Sequence, residues 1–173
     1  PPPLRPAVRA IYAFARTADD IADEGSASAA QRQQQLAEYE ACLDAAAQGR
    51  VGAAWPEVFE PLARAIAQHA LPLPLLRDLL SAFGQDTGNP IYPDRAMLLD
   101  YCSRSANPIG RLLLHLVGMT ERGALVESDA ICSALQLINF WQDLSIDLAR
   151  GRHYVPTADL QRCGLAREAL AEH

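Results

Sequence analysis

An all-α fold is predicted on two observations: apolar residues recur at three- and four-residue spacing through almost every segment, and alternating β-branched runs of strand type are missing. With 173 residues, 50% of them hydrophobic, the chain can bury a sizeable core, and no shift in composition divides it. We therefore read residues 1–173 as a single domain. The first helix is expected from Arg5 to Glu24, stopped by Gly25, and an alanine- and glutamine-rich helix from Ser28 to Ala47. Pro56 opens a third helix to Ala70, and Pro72 and Pro74 open a fourth to Asp86. The GNPIYP stretch reads as a loop before a fifth helix near Asp94, and Asn107 and Pro108 break the path. An apolar helix follows from Ile109 to Val117, then a long one from Ser128 to Arg150 ended by Gly151, and a last segment from Thr157. The opening proline run and the helical pattern at the end lead us to expect a fragment, truncated at the C-terminus.

Fifteen basic against 21 acidic residues give a formal charge of −6, which excludes the broad basic footprint of a nucleic-acid binder and suits a cation, or a ligand delivered with cations. Cys42, Cys102, Cys132 and Cys163 are scattered without zinc spacing and read as reduced thiols packed in helices, which favours the cytoplasm. The uncharged run Ile131 to Trp141 is too short to span a bilayer.

Two acidic faces carry the functional signal. Tyr12, Arg16, Asp19 and Asp23 are spaced four, three and four apart and share one stripe, flanked by Asp20 and Glu24. In the long late helix Gln136, Asn139, Asp143 and Asp147 repeat the pattern within a run that is apolar almost all round, so Gln136 and Asn139 are expected inside the bundle. Opposed carboxylates can hold Mg²⁺, which takes hard oxygen ligands and completes its shell with water and phosphate. An acidic helix face by itself is ordinarily solvated surface, and a pair of buried amides is ordinarily a core hydrogen-bond network; the occurrence of both patterns on separate helices favours a site. Arg16 suits either an ion pair within its helix or a phosphate contact. Phe14, Phe140 and Trp141 read as core, and His115 and His153 as packing or surface groups.

The stretches AIYAFARTADDIADE and ALQLINFWQDLSIDLARGRHYVP resemble the two aspartate-rich signatures of the squalene and phytoene synthase family, and YCSRSANPIG is similar to its cavity-lining segment. Within the family INFWQD looks more like bacterial hydroxysqualene synthases of hopanoid pathways than the NILRD form of phytoene synthases. This resemblance implies an isoprenoid-synthase helical bundle with a central cavity, in which Mg²⁺ is the cofactor and presqualene or farnesyl diphosphate the substrate. Carried over by motif, Asp19, Asp20, Asp23, Asp143 and Asp147 would form the metal set, and Arg16 and Asn139 would hold diphosphate. Tyr12, Tyr101, Gly110 and Gln136 would line or polarise the cavity. The implied reaction ionises presqualene diphosphate, rearranges the cation and captures it with water to give hydroxysqualene, without a nicotinamide. Head-to-head condensation of two prenyl diphosphates, or a silent prenyl diphosphate-binding module, are the alternatives. An apolar substrate also leads us to expect peripheral contact at the inner face of a membrane, with other hopanoid-pathway enzymes as partners. Two departures from the family pattern are Gln142, where phytoene synthases have arginine, and Ile91, where relatives often carry a basic residue before the tyrosine.

Overall fold

A computed structural model describes residues 2–171, and the regular elements among them are helical. A 3-10 turn over Pro2–Leu4 leads into α1 (Arg5–Asp23), followed by α2 (Ala29–Ala47), α3 (Pro56–His69), α4 (Leu73–Asp86) and α5 (Arg95–Ser105). Then come α6 (Asn107–Leu116), α7 (Arg122–Gln142), α8 (Leu144–Ala149), α9 (Thr157–Arg162) and a closing 3-10 turn over Arg167–Ala171.

The helix starts follow local chemistry. Ser28 and Gln31 form a reciprocal capping box on α2, and the Asp94 side chain accepts from the Met97 amide at the start of α5. Prolines open α1, α3, α4 and α6, where the missing N–H has no helical partner to lose. Asn107 and Pro108 thus begin α6 rather than break the path ahead of it, and both are buried.

Burial on α1 falls on Ala7, Ala10, Ile11, Phe14, Ala18 and Ala22, one stripe at helical spacing. That stripe packs on α2, α3 and α4, and its alanines let those helices come close. Phe14, Tyr39 and Phe59 meet at the centre with ring centroids 4.7–6.2 Å apart, and the Tyr39 hydroxyl donates to the Phe14 carbonyl at 3.1 Å. Each such side chain, fully withdrawn from water, contributes roughly 2 kcal/mol. A second core joins Ala82, Leu98, Tyr101 and Cys102 to Phe140, Tyr92 and Tyr154.

The late helix departs from expectation in two ways. It starts at Arg122, and it is interrupted at Asp143, so the second acidic signature is split between the end of α7 and α8. Phe140 alone is buried on α7, while Ile131, Leu135, Ile138 and Trp141 are exposed. Asn139 is exposed and Gln136 half-buried, so neither is enclosed as the apolar run implied, and Trp141 is not a core residue. Cys163 is exposed beyond the end of α9 instead of packed in a helix, and all four cysteines are free.

After α8 the chain turns through Gly151, whose φ of +75° disfavours side chains and whose missing Cβ leaves room for the Asn89 side chain. It then runs beside the 89–93 loop: Ile91 and His153 form a parallel bridge, and the Thr157 and Ala158 amides donate to the Tyr92 and Pro93 carbonyls at 2.9 Å. His153 accordingly has a packing role, and His115 lies 2.8 Å from the His69 carbonyl. No helix among the described residues is long and apolar enough to cross a membrane.

Gly110 sits at the α6–α7 contact, where a Cβ would meet the Ser128 hydroxyl and lie 2.6 Å from the Cys132 sulfur. Its role is helix approach, and it does not line the cavity as the resemblance implied. Gly110→Val should destabilise the fold by about 1–3 kcal/mol through overpacking, measured by denaturant unfolding.

Candidate active site

The two acidic faces meet on one cavity of about 760 Å³ between α1, α4, α5, α6, α7 and α8. Its wall changes character along α1, from Val8, Ile11 and Ala15 to Arg16, Asp19 and Asp23, over about 22 Å at the helical rise. Phe83, Ile109, Leu113 and Phe140 extend the apolar part, and Asp143, Asp147, Arg150 and Arg152 close the charged part. The pocket is therefore a cleft with an apolar body and a charged end.

Of the residues expected from sequence, Tyr12, Arg16, Asp19, Asp23, Tyr101, Gln136, Asn139, Asp143 and Asp147 are brought together on this wall. Asp20 is not: its carboxylate lies beside the cavity and pairs with Arg16 at 2.7 Å, while the other nitrogen of the same guanidinium reaches Asp19 at 3.2 Å. One helical turn brings these three groups together, since residues three and four apart are neighbours. Tyr12 is 69% exposed and reaches the cavity from its rim.

Two arginines that the motif reading passed over fasten the site. Arg152 pairs with Asp23 of α1 and reaches Asp147 of α8 at 3.9 Å, and Arg150 reaches Asp23 at 3.0 Å. Burial pushes the Asp147 carboxyl up from its ordinary range and nearby Asp143 adds to this, with Arg150 acting against it. Burial likewise raises Asp19, an effect that Arg16 partly offsets and Asp20 reinforces. Carboxylates held this close favour a cation. All 15 basic residues of the chain are arginine, whose planar fork suits phosphate oxygens and stays charged.

A hard divalent cation fits this donor set, which is carboxylate oxygen throughout. Among the described residues no three His, Cys, Asp or Glu side chains converge on one point. A cation here would draw part of its shell from substrate phosphate and water, as Mg²⁺ commonly does.

Behind the charged end stands Asp86, the last residue of α4, which sequence reading had treated only as a helix stop. It is buried, yet lines the cavity. Tyr101 donates to its Oδ2 at 2.5 Å and Tyr154 to its Oδ1 at 3.3 Å. Burial drives the Asp86 carboxyl up to about 7, against the lowering effect of both phenols. Tyr154 stacks on Phe140 with centroids 3.9 Å apart, and Tyr92 completes the cluster, its hydroxyl accepting from Gln85 at 3.1 Å. Because these tyrosines come from three separated stretches, no local spacing could have shown the cluster; the resemblance pointed to Tyr101, and a carboxylate closing an apolar helix was the signal for Asp86.

Over residues 1–173 the chain matches the squalene/phytoene synthase family. It belongs to that family. It is 34% identical over 166 residues to a hydroxysqualene synthase of Zymomonas mobilis subsp. mobilis, covering 94% of this chain and 54% of the relative. It is 32% identical over 176 residues to a presqualene diphosphate synthase of the same organism, covering 99% and 59%. The crystal structure of squalene synthase HpnC from Alicyclobacillus acidocaldarius superposes with a TM-score of 0.89 at 37% identity, covering 99% of this chain and 63% of that one. Thus the fold is that of the isoprenoid synthases, and the chain spans little more than half the length of these two curated relatives.

The Asp86 carboxyl gives a stability test with a definite sign. The folded state retains a proton that the unfolded chain releases above 3.8, so stability present at acid pH is lost as pH rises toward about 7. Asp86→Asn should flatten this decline in melting temperature across that window. Asp19 and Asp147 would leave a residual slope of the same sign.

Proposed function

We propose that this chain is a domain of a prenyl diphosphate enzyme converting presqualene diphosphate to hydroxysqualene. The observation that carries the reading is the convergence of Asp19 and Asp23 from α1 with Asp143 and Asp147 from the second signature on one cleft with an apolar body. These four carboxylates are the Mg²⁺ set of the proposal, and Mg²⁺ when bound would neutralise the departing diphosphate. Arg16, and after rearrangement Arg150 and Arg152, supply charge-assisted hydrogen bonds to phosphate oxygens. Asn139, exposed on the same wall as Asp143, offers a neutral donor and acceptor for phosphate or its water.

The apolar wall has a different task. Ile11, Phe83, Ile109, Leu113 and Phe140 hold the prenyl chain and keep bulk water from the cation left by ionisation. Phe140 and Tyr154, stacked on each other and both lining the cavity, would offer it quadrupolar stabilisation only through a ring face turned to the cavity. Gln136, Tyr101 and Ser105, whose buried hydroxyl has no partner among the described residues, are polar groups on this wall able to orient a single water for capture. We further propose peripheral membrane contact, since an apolar substrate partitions into lipid, with hopanoid-pathway enzymes as partners.

Condensation of two prenyl diphosphates is a second reading, supported by the presqualene diphosphate synthase relative, whose match covers nearly all of this chain. Incubation with presqualene diphosphate and Mg²⁺, without a nicotinamide, should yield hydroxysqualene, and EDTA should abolish it. Product from farnesyl diphosphate but none from presqualene diphosphate would favour condensation. Mg²⁺-dependent binding without turnover would leave a binding module. Asp19→Ala and Asp143→Ala should each lower turnover at least about 100-fold, since each removes electrostatic stabilisation of the leaving group. Unchanged turnover in both would remove the acidic faces from the site.

A further inference from the structure

The proposed capture of a cation by water releases a proton, and the four carboxylates assigned to the metal are poorly suited to receive it, being committed to cation and arginine. Asp86 is different. It lies on the same cavity wall, 8% exposed, and no arginine among the described residues pairs with it. A carboxylate withdrawn from water without a cationic partner is costly to keep ionised, so a proton stabilises it. Two phenols hold it in place: Tyr101 at 2.5 Å, short for a neutral donor, and Tyr154 at 3.3 Å. Tyr101 itself lines the cavity, so its oxygen connects Asp86 to the space where substrate would lie.

Resting on the function proposed above, we propose that Asp86 is the proton acceptor of the water-capture step, acting through the Tyr101 hydroxyl. As the water oxygen forms its C–O bond to the cation, one water proton passes to Tyr101 Oη while the Tyr101 hydroxyl proton passes to Asp86 Oδ2. Cation, water and ionised Asp86 thereby become alcohol and neutral Asp86, and diphosphate leaves with the electron pair of the broken C–O bond. Tyr154 keeps the second carboxylate oxygen occupied and so fixes which oxygen faces Tyr101.

The groups around Asp86 set its working range. From α1, Asp19 raises its proton affinity; from α5, Arg104 lowers it, as do the hydrogen bonds of Tyr101 and Tyr154. Tyr92 faces it from the loop after α4 and is itself held protonated by burial and by the Asp86 charge. Burial outweighs the rest and leaves the carboxyl near 7, where a group can both take and release a proton.

The test uses the 173-residue chain and two independent readouts. In turnover of presqualene diphosphate with Mg²⁺, kcat should rise with pH through about 7. Asp86→Asn should lower it about 100-fold and abolish that limb, leaving KM within about threefold. Tyr101→Phe should lower kcat comparably, and the double variant should be no worse than either, because the two groups act as one relay. Full kcat in Asp86→Asn, or an unchanged pH limb, overturns the proposal. The second readout needs no turnover: an infrared difference between wild type and Asp86→Asn should reveal a carboxyl band titrating near neutrality and displaced in Tyr101→Phe. A band that stays ionised from about pH 5 to about pH 9, or that ignores Tyr101→Phe, overturns it too. A wild-type chain inert toward presqualene diphosphate would overturn the proposed function and with it the acceptor role, whereas a normal turnover with an infrared band that fails to titrate would overturn the acceptor role alone.

Discussion

The ion pair between Arg152 and Asp23 fixes the geometry on which everything at the site depends. Asp23 ends α1, near the start of the chain, and Arg152 follows α8, some 130 residues later. Their pairing, with Arg150 on the other carboxylate oxygen, holds the second acidic signature against the first. Without it α8, a helix of six residues, would have little to anchor it, since short helices draw their stability from tertiary contacts. Such a pair, largely shielded from water, contributes little net stability, because desolvation opposes attraction; what it provides is position.

That position is reinforced from the opposite side. The turn at Gly151 allows the chain to double back on the 89–93 loop, and the backbone bonds from Thr157 and Ala158 carry Tyr154 to Asp86. A single segment, residues 150–158, therefore supplies two arginines to the acidic end and one tyrosine to the buried carboxylate. At the departure from the family pattern, Ile91 pairs through its backbone with His153, which aligns the two stretches of chain that shape the aromatic cluster, while its side chain is exposed.

The fold was largely legible in the sequence because helical period, proline starts and glycine stops are local properties. Seven expected helix starts and five expected ends fell within two residues of the pattern, such as Arg5, Pro56 and Asp86. The interruption at Asp143 was not, since INFWQDLSID continues the helical period across it and only tertiary contact bends the path. Apolar composition misled in the same region: Ile131, Leu135, Ile138 and Trp141 form a side of α7 that no described residue covers, so hydrophobicity all round did not mean enclosure. For the site, residues repeating on one helix face were found from their spacing, and Tyr101 from the resemblance alone. Asp86 becomes a neighbour of the motif only through folding, Arg152 and Tyr154 lie within the second stretch but beyond its repeating helix face, and Asp20, adjacent to Asp19 in sequence, turns away by one helical step of 100°.

The site as it stands balances its carboxylates with protein cations. Arg16 serves Asp19 and Asp20, and Arg150 and Arg152 serve Asp23, so all three aspartates of the first signature are already paired. On the proposed reading, a divalent cation alone would have to compete with guanidinium groups for Asp23, and a diphosphate alone would bring its charge to a wall already rich in carboxylates. Arriving together, each would relieve the other's conflict: the carboxylates would hold the metal, and Arg150 and Arg152 would be free to bind the phosphate oxygens, where their fork geometry fits. Exchange of partners conserves the number of charge contacts, so the rearrangement requires little net desolvation. On the proposed reading the arginines after α8 are part of the diphosphate site, and the charge that holds the cleft together is the same charge that would receive the leaving group.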